Sequence, residues 1–223
     1  MPESKKTKYP FRFYTRLHLS ELTGLRATTL GQLLGLIKTV PGSCIYHHTH
    51  RFLQQHQYLS PEPPNDFAYW VGEFLGEDEL SEKLASIDTI QYSTIRDLRE
   101  KIINTIEEYL ANNPLAKLKF TRASEEFHFM KSMSFVIPTN YVVYDLKEFA
   151  DVLKKITMDS IYFHIFESRL RLEKGNNDFS NWIGNSLGEK GLAERISKLD
   201  PYTYTLDELR NVVLNIIEKG IKR

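Results

Sequence analysis

The sequence predicts a mainly α protein made of two tandem, similar helical modules related by pseudo-two-fold symmetry. Three observations lead to this class. A repeat covers most of the 223 residues, helix-start patterns recur in both copies, and the apolar residues that follow them have helical spacing. Whether the alternating F-x-F segment of each copy forms a strand, and with the other a short β-ribbon, is left open by the pattern.

The repeat is most visible at NDFAYW, residues 65–70, which returns as NDFSNW at 177–182. Around these strings, identical residues recur 112 positions apart, and upstream of them the offset becomes 116. The offset changes around the Pro-rich stretch SPEPP, where insertion into a loop costs little free energy. The repeat therefore predicts helical modules at 10–111 and 127–223, joined by a connector at 112–126.

Each copy opens with an alternating segment, which is FRF at 11–13 and FHF at 127–129. Five helices are then expected in each copy. In copy one they are predicted near 30–40, 44–57, 66–75, 79–87 and 95–111.

Residues that favour a helix start stand at matching positions in the two copies, although their types differ in some pairs, and this supports the predicted helices. Thr29 with Gln32 and Asp145 with Glu148 fit the capping box that precedes an apolar run. The predicted N-caps of the remaining helices, in matched pairs, are Ser43 and Asp159, then Thr94 and Thr205.

Composition excludes several classes of protein. Lysine plus arginine equals aspartate plus glutamate, so the net charge is zero and we do not expect a nucleic-acid partner. No segment approaches the ~20 apolar residues that would span a bilayer, so no membrane partner is expected. The single cysteine, Cys44, cannot form an intramolecular disulfide, which is typical of the reducing cytoplasm.

The ordered motifs resemble a known family. F-x-F, S-I-Y-x-H, N-D-F-x-x-W and L-G-E-x-x-L together look like an uncharacterised prokaryotic helical family, a domain-of-unknown-function family built from this unit in tandem. Copy one departs from the second motif at Cys44, where copy two has Ser160. The resemblance implies a helical fold and supplies no catalytic residue and no cofactor.

Two matched polar pairs are the first candidates for a site. His48 and His164 lie on apolar helix faces, and Asp66 and Asp178 stand at the start of the following helix. A histidine in this position is more often a hydrogen-bonded core residue than a ligand or base, and the aspartate fits a helix start. We expect each histidine to meet a polar group of its own module, most simply that aspartate.

Two arginines complete the candidate binding set. Arg99 and Arg210 flank the apolar stripe of the last helix in each copy. A half-buried arginine either forms a structural pair or lines a site for phosphate or carboxylate.

No metal site is predicted. His47 and His50 lie one helical turn apart in copy one, but copy two has Phe163 and Phe166 at these positions. A zinc site needs three or four converging ligands. No catalytic residue is assigned, since a glycine-rich phosphate loop and a nucleophile elbow are both missing from the sequence.

These observations favour a non-catalytic interaction or regulatory module whose partner is another protein, with its oligomeric state left open. The alternative is an enzyme or small-molecule binder that uses the His/Asp/Arg set in a cleft between the two copies.

Overall fold

The computed structural model describes residues 6–51, 65–168, 176–199 and 203–221. These residues form two compact units. The copy-one unit comprises His18–Met133, and the copy-two unit comprises the described residues up to Leu17 together with those from Ser134 onward.

The first half of the chain follows the predicted order of elements, with the last predicted residues of its second helix, 52–57, lying outside the described residues. Strand β1 is followed by α1 and by α2, which continues as a π-helix, and then by α3, α4 and α5. Their bounds are β1 Phe11–Ala27, α1 Leu30–Thr39, α2 Gly42–Tyr46, the π-helix His47–Arg51, α3 Asp66–Glu73, α4 Asp78–Ala85 and α5 Ile95–Asn112.

The second half repeats this order after a short 3₁₀ helix at Pro114–Leu118. Strand β2 is followed by α6, by α7 with its own π-helical continuation, and by α8, α9 and α10. Their bounds are β2 Phe127–Val143, α6 Leu146–Leu153, α7 Met158–Tyr162, the π-helix Phe163–Glu167, α8 Asp178–Ser186, α9 Lys190–Ser197 and α10 Leu206–Ile221.

Side-chain caps explain where most of these helices begin. Thr29, Thr94 and Asp145 each accept a hydrogen bond from the main-chain N–H three residues later, as their sequence patterns predict. The predicted caps Ser43 and Asp159 instead lie within α2 and α7. Both helices begin two residues earlier than predicted, because Thr157 caps α7 and Pro41 directly precedes α2.

The prediction of a mainly α fold is wrong. Helix accounts for 59% and strand for 19% of the structure, in which β1 pairs with β2 as a two-stranded antiparallel sheet, so the fold is mixed α/β. Each strand is 17 residues long and extends well past its F-x-F segment. The sequence pattern understated the strands because their central residues are mostly exposed and carry no alternation of buried and polar side chains.

The first residues of each strand supply buried aromatic rings to a core. Phe11 and Phe13 pack in the copy-two unit with Phe149, whereas Phe127 and Phe129 pack in the copy-one unit. The predicted modules 10–111 and 127–223 keep each F-x-F segment with the helices that follow it in sequence. In the compact units, each F-x-F segment packs instead with the helices of the other copy.

Candidate functional site

Each candidate histidine forms a hydrogen bond with the candidate aspartate of its own copy. His48 Nδ1 lies 2.6 Å from Asp66 Oδ2, and His164 Nδ1 lies 2.8 Å from Asp178 Oδ2. Both histidines lie in the π-helical turn that continues α2 or α7, and both are buried.

The aspartates are positioned by the asparagine that precedes each of them. Asn65 and Asn177 cap α3 and α8 by accepting a main-chain N–H through their side-chain oxygen. Their amide nitrogens donate to Leu84 O and Ile196 O at the end of the next helix, so one side chain fixes both helices. This arrangement explains why Asn-Asp stands at the same place in both copies.

The second ring nitrogen of each histidine binds the main chain of a strand. The N–H of Met130 donates to His48 Nε2 and the N–H of Tyr14 donates to His164 Nε2, both at 2.9 Å. Because Nε2 accepts a hydrogen bond, the ring proton lies on Nδ1 and is donated to the aspartate. Each imidazole is therefore neutral in this arrangement, with both nitrogens in use.

Tryptophan and serine side chains also bind main-chain carbonyls, either within a strand or two residues before a strand begins. Trp70 Nε1 donates to Glu125 O and Trp182 Nε1 donates to Tyr9 O, both at 2.7 Å. In copy two, Ser160 Oγ also donates to Tyr14 O at 2.6 Å, at the position where copy one has Cys44. In each unit, we call the strand pocket the set formed by the histidine, the tryptophan and the other buried rings that pack around Phe11 or Phe127.

One feature of the pockets differs between the copies and was not found from the sequence. Arg16 of β1 forms a buried ion pair with Glu167, the last residue of the copy-two π-helix. At the matching strand position, Ser132 Oγ lies 3.1 Å from His47 Nδ1. Because these residues differ between the copies, the repeat gave no signal for either contact.

The candidate arginines bind carbonyl groups at the ends of helices. Arg99 Nη2 donates to Val40 O at 2.6 Å, and Arg210 Nη2 donates to Ile156 O at 2.7 Å. Val40 directly follows α1, and Ile156 stands in the turn after α6, where carbonyl groups lack helical partners. The arginines therefore hold the last helix of each copy against an earlier one, apart from the His/Asp pairs.

A groove of about 490 Å³ lies beside the copy-two pair. Its lining includes His164 and Asp178 together with Arg12, Tyr14 and Phe163, and it does not include Arg210. The groove has the volume of a small-molecule site. The Asp178 side chain is the polar group of the pair that reaches solvent, with 17% of it exposed.

His50 is buried and hydrogen-bonded to its neighbour, with Thr49 Oγ1 lying 2.9 Å from His50 Nδ1. Its ring stacks on Tyr46 at 5.3 Å between ring centroids, and burial lowers its pKa from 6.5 to about 4. In copy two, Phe166 stacks on Tyr162 in the same way. Within the described residues, no group of three or more His, Cys, Asp or Glu side chains is placed to hold a metal ion.

The cysteine does not add a nucleophile to either pocket. Cys44 is buried and free, and burial raises the pKa of its thiol. A thiol with a raised pKa is a weak nucleophile at neutral pH. Among the described residues, no helix is both long enough and apolar enough to cross a membrane.

Comparison with known proteins places this architecture in a family. The solved structure of OrfY from Thermoproteus tenax is similar, with 30% sequence identity and a TM-score of 0.81 over 98% of this chain and 99% of that chain. No curated protein sequence matches the chain. The model of a family described as a family of unknown function (DUF5752) matches residues 8–218, and the chain therefore belongs to that family.

Proposed function

We propose that this chain is a non-catalytic interaction module that binds another protein in the cytoplasm. The observation that carries the proposal is the double hydrogen bonding of His48 and His164. In each ring, Nδ1 binds an aspartate and Nε2 binds a strand N–H. A general base needs a ring nitrogen within reach of the substrate proton, and here both nitrogens are used inside the fold.

The surface that we assign to the partner is the connector patch, defined as Leu115, Leu118 and Phe120. Their exposed fractions are 81%, 71% and 77%, whereas most large apolar residues of the copy-one unit are buried. Clustered apolar side chains at a protein surface are typical of protein–protein interfaces. The neighbouring lysines Lys117 and Lys119 are also exposed, which would give such an interface a polar rim.

A second candidate function is the binding of a small molecule in the groove beside His164. The observation that favours it is the lining, which combines the aromatic ring of Phe163 with the charged side chains of Arg12 and Asp178. Small-molecule sites combine apolar walls with a few polar groups in this way. In this function His164 would position Asp178 rather than exchange protons.

Affinity capture from the native cell with the full chain tests the first proposal. We expect a protein to be retained by the parent and lost, by about tenfold or more, from the triple variant L115S/L118S/F120S. The matched control is Tyr9→Ser, another exposed apolar side chain that lies in the copy-two unit. Its capture should equal that of the parent, and all three proteins should have the same melting temperature.

Direct titration of the captured protein against the three chains then measures the loss of affinity. Equal binding by the parent and the triple variant would contradict the connector patch as the interface. Capture of no protein, together with a small molecule retained by the parent in native mass spectrometry and lost from Arg12→Ala, would favour the second candidate.

A further inference from the structure

The two strand pockets bind groups that both F-x-F strands carry. Each pocket takes two phenylalanine rings, one main-chain N–H through a histidine and one main-chain carbonyl through a tryptophan. Recognition of an extended segment through main-chain hydrogen bonds and alternate side chains is a recurring mode of peptide binding. The copy-two pocket, which holds Phe11 and Phe13, is the one considered further.

The strand that fills this pocket is distant in sequence from the helices that form it. Phe11–Leu17 belongs to the copy-two unit, whereas the next residue, His18, belongs to the copy-one unit. The chain therefore passes between the units at residues 17–18 and again at 133–134. A pocket filled through such a crossing can be filled by the same strand of another molecule, with every contact inside the pocket retained.

A polar pair selects which strand enters the copy-two pocket. Arg16 and Glu167 are both buried, with 8% and 7% of their side chains exposed. The strand from copy two has Ser132 at the position of Arg16, so its entry would not form this ion pair. Loss of a buried ion pair is costly, and the pocket therefore favours the Arg16 strand over the other one.

We propose that a second copy of this chain can supply Tyr9–Leu17 to the copy-two pocket, giving a strand-exchanged dimer. This interface is separate from the connector patch and does not depend on it. Within one molecule, the chain's own strand is present at an effective concentration on the order of 1 mM. The strand of a second molecule can compete with it only when the total chain concentration during folding is similar, so exchange is expected under that condition. Refolding at ~1 µM should give monomers.

The first test uses the full chain with two tags of different size. The two tagged proteins are unfolded together, refolded at ~1 mM, and analysed by size exclusion with mass measurement. We expect dimers that carry both tags after refolding together, and none after the folded proteins are mixed, because exchange requires a unit to open. If refolding together gives no dimers with both tags, or if mixing the folded proteins gives as many, the proposal is overturned.

The second test reverses the polar pair in two separate chains. The variants R16E and E167R each place like charges together in a single molecule, whereas a dimer of one with the other restores an opposite-charge pair in both pockets. Refolding the two variants together should raise the dimer yield about tenfold or more over either variant alone. The control is the chain carrying both changes, which should refold as the parent does.

If the double variant folds normally and the mixture of R16E and E167R gives no more dimer than either variant alone, the assignment of this strand is overturned. If the double variant does not fold, the parent refolded at several chain concentrations takes its place. The fraction of dimers that carry both tags should rise as the concentration approaches ~1 mM, and a fraction that does not depend on concentration would overturn the proposal.

Discussion

His164 joins helix α8 to strand β1 through opposite sides of one imidazole ring. Its Nδ1 lies 2.8 Å from Asp178 Oδ2, and its Nε2 accepts the N–H of Tyr14 at 2.9 Å. The rings of Phe11 and Phe179 pack around it at 4.9 and 5.4 Å between centroids. The histidine thus positions a strand and a helix by hydrogen bonds made inside an apolar core, where an unmade hydrogen bond is costly.

Substitution of His164 or Asp178 by alanine should destabilise the protein. We expect each single change to lower the free energy of unfolding by about 3 kcal/mol, because the remaining partner loses its hydrogen bond in a mostly buried site. The double variant should lose less than the sum of the single changes, since both remove the same interaction. Denaturant melts followed by circular dichroism measure all three values.

The matched control for this pair is His128→Ala, whose side chain is half exposed. It should melt within ~0.5 kcal/mol of the parent. If His164→Ala and Asp178→Ala also melted like the parent, the pair would not stabilise the fold, and its role would have to lie in the groove beside it.

Both tryptophans should report a buried environment. Trp70 and Trp182 are buried, and each indole N–H is bound to a main-chain carbonyl. We therefore expect blue-shifted fluorescence with little quenching by iodide in the native state. Single variants Trp70→Phe and Trp182→Phe separate the two signals, and strong iodide quenching in either would show that the strand pocket of that unit is open in solution.

The stability of the copy-one unit should depend on pH through His50. Burial lowers its pKa from 6.5 to about 4, so between these values the unfolded chain binds a proton that the folded chain does not. This histidine should therefore reduce the free energy of unfolding as the pH falls from 6.5 to 4, by about 3 kcal/mol in total.

The variant His50→Phe removes this contribution, and copy two already has Phe166 at that position. The free energy of unfolding of His50→Phe minus that of the parent should increase as the pH falls from 7 towards 4, as measured by urea melts at several pH values. His128→Phe at an exposed site is the control. A constant difference between His50→Phe and the parent across this range would contradict the assigned titration.

Arg99 should stabilise the contact between α5 and the end of α1. Replacing it with methionine keeps most of the side-chain length but removes the donor to Val40 O. We expect a loss of about 1–3 kcal/mol, because a carbonyl at a helix end then lacks its charged partner. Arg96→Met, at an exposed position on the same helix, should cost less than ~0.5 kcal/mol. Equal losses in the two variants would mean that this hydrogen bond contributes nothing.

The helices and several of their starts could be predicted because their causes are local. Thr29, Thr94 and Asp145 cap helices through contacts three residues away, which a sequence pattern records directly. The meeting of each histidine with its aspartate was also expected, since both members recur together in the two copies. The length of the strands could not be predicted, because main-chain pairing stabilises their exposed central residues and leaves no side-chain pattern.

The sequence by itself determined the repeated order of elements, several of the helix caps and the residue types that form the two pockets, since each of these depends on neighbouring residues or on a repeated motif. Only the tertiary structure decided which F-x-F strand fills which pocket. Both strands carry the phenylalanines and the main-chain groups that a pocket binds, so local sequence cannot distinguish them. The choice depends on contacts between distant residues that differ between the copies, chiefly Arg16 with Glu167 in one pocket and Ser132 with His47 in the other.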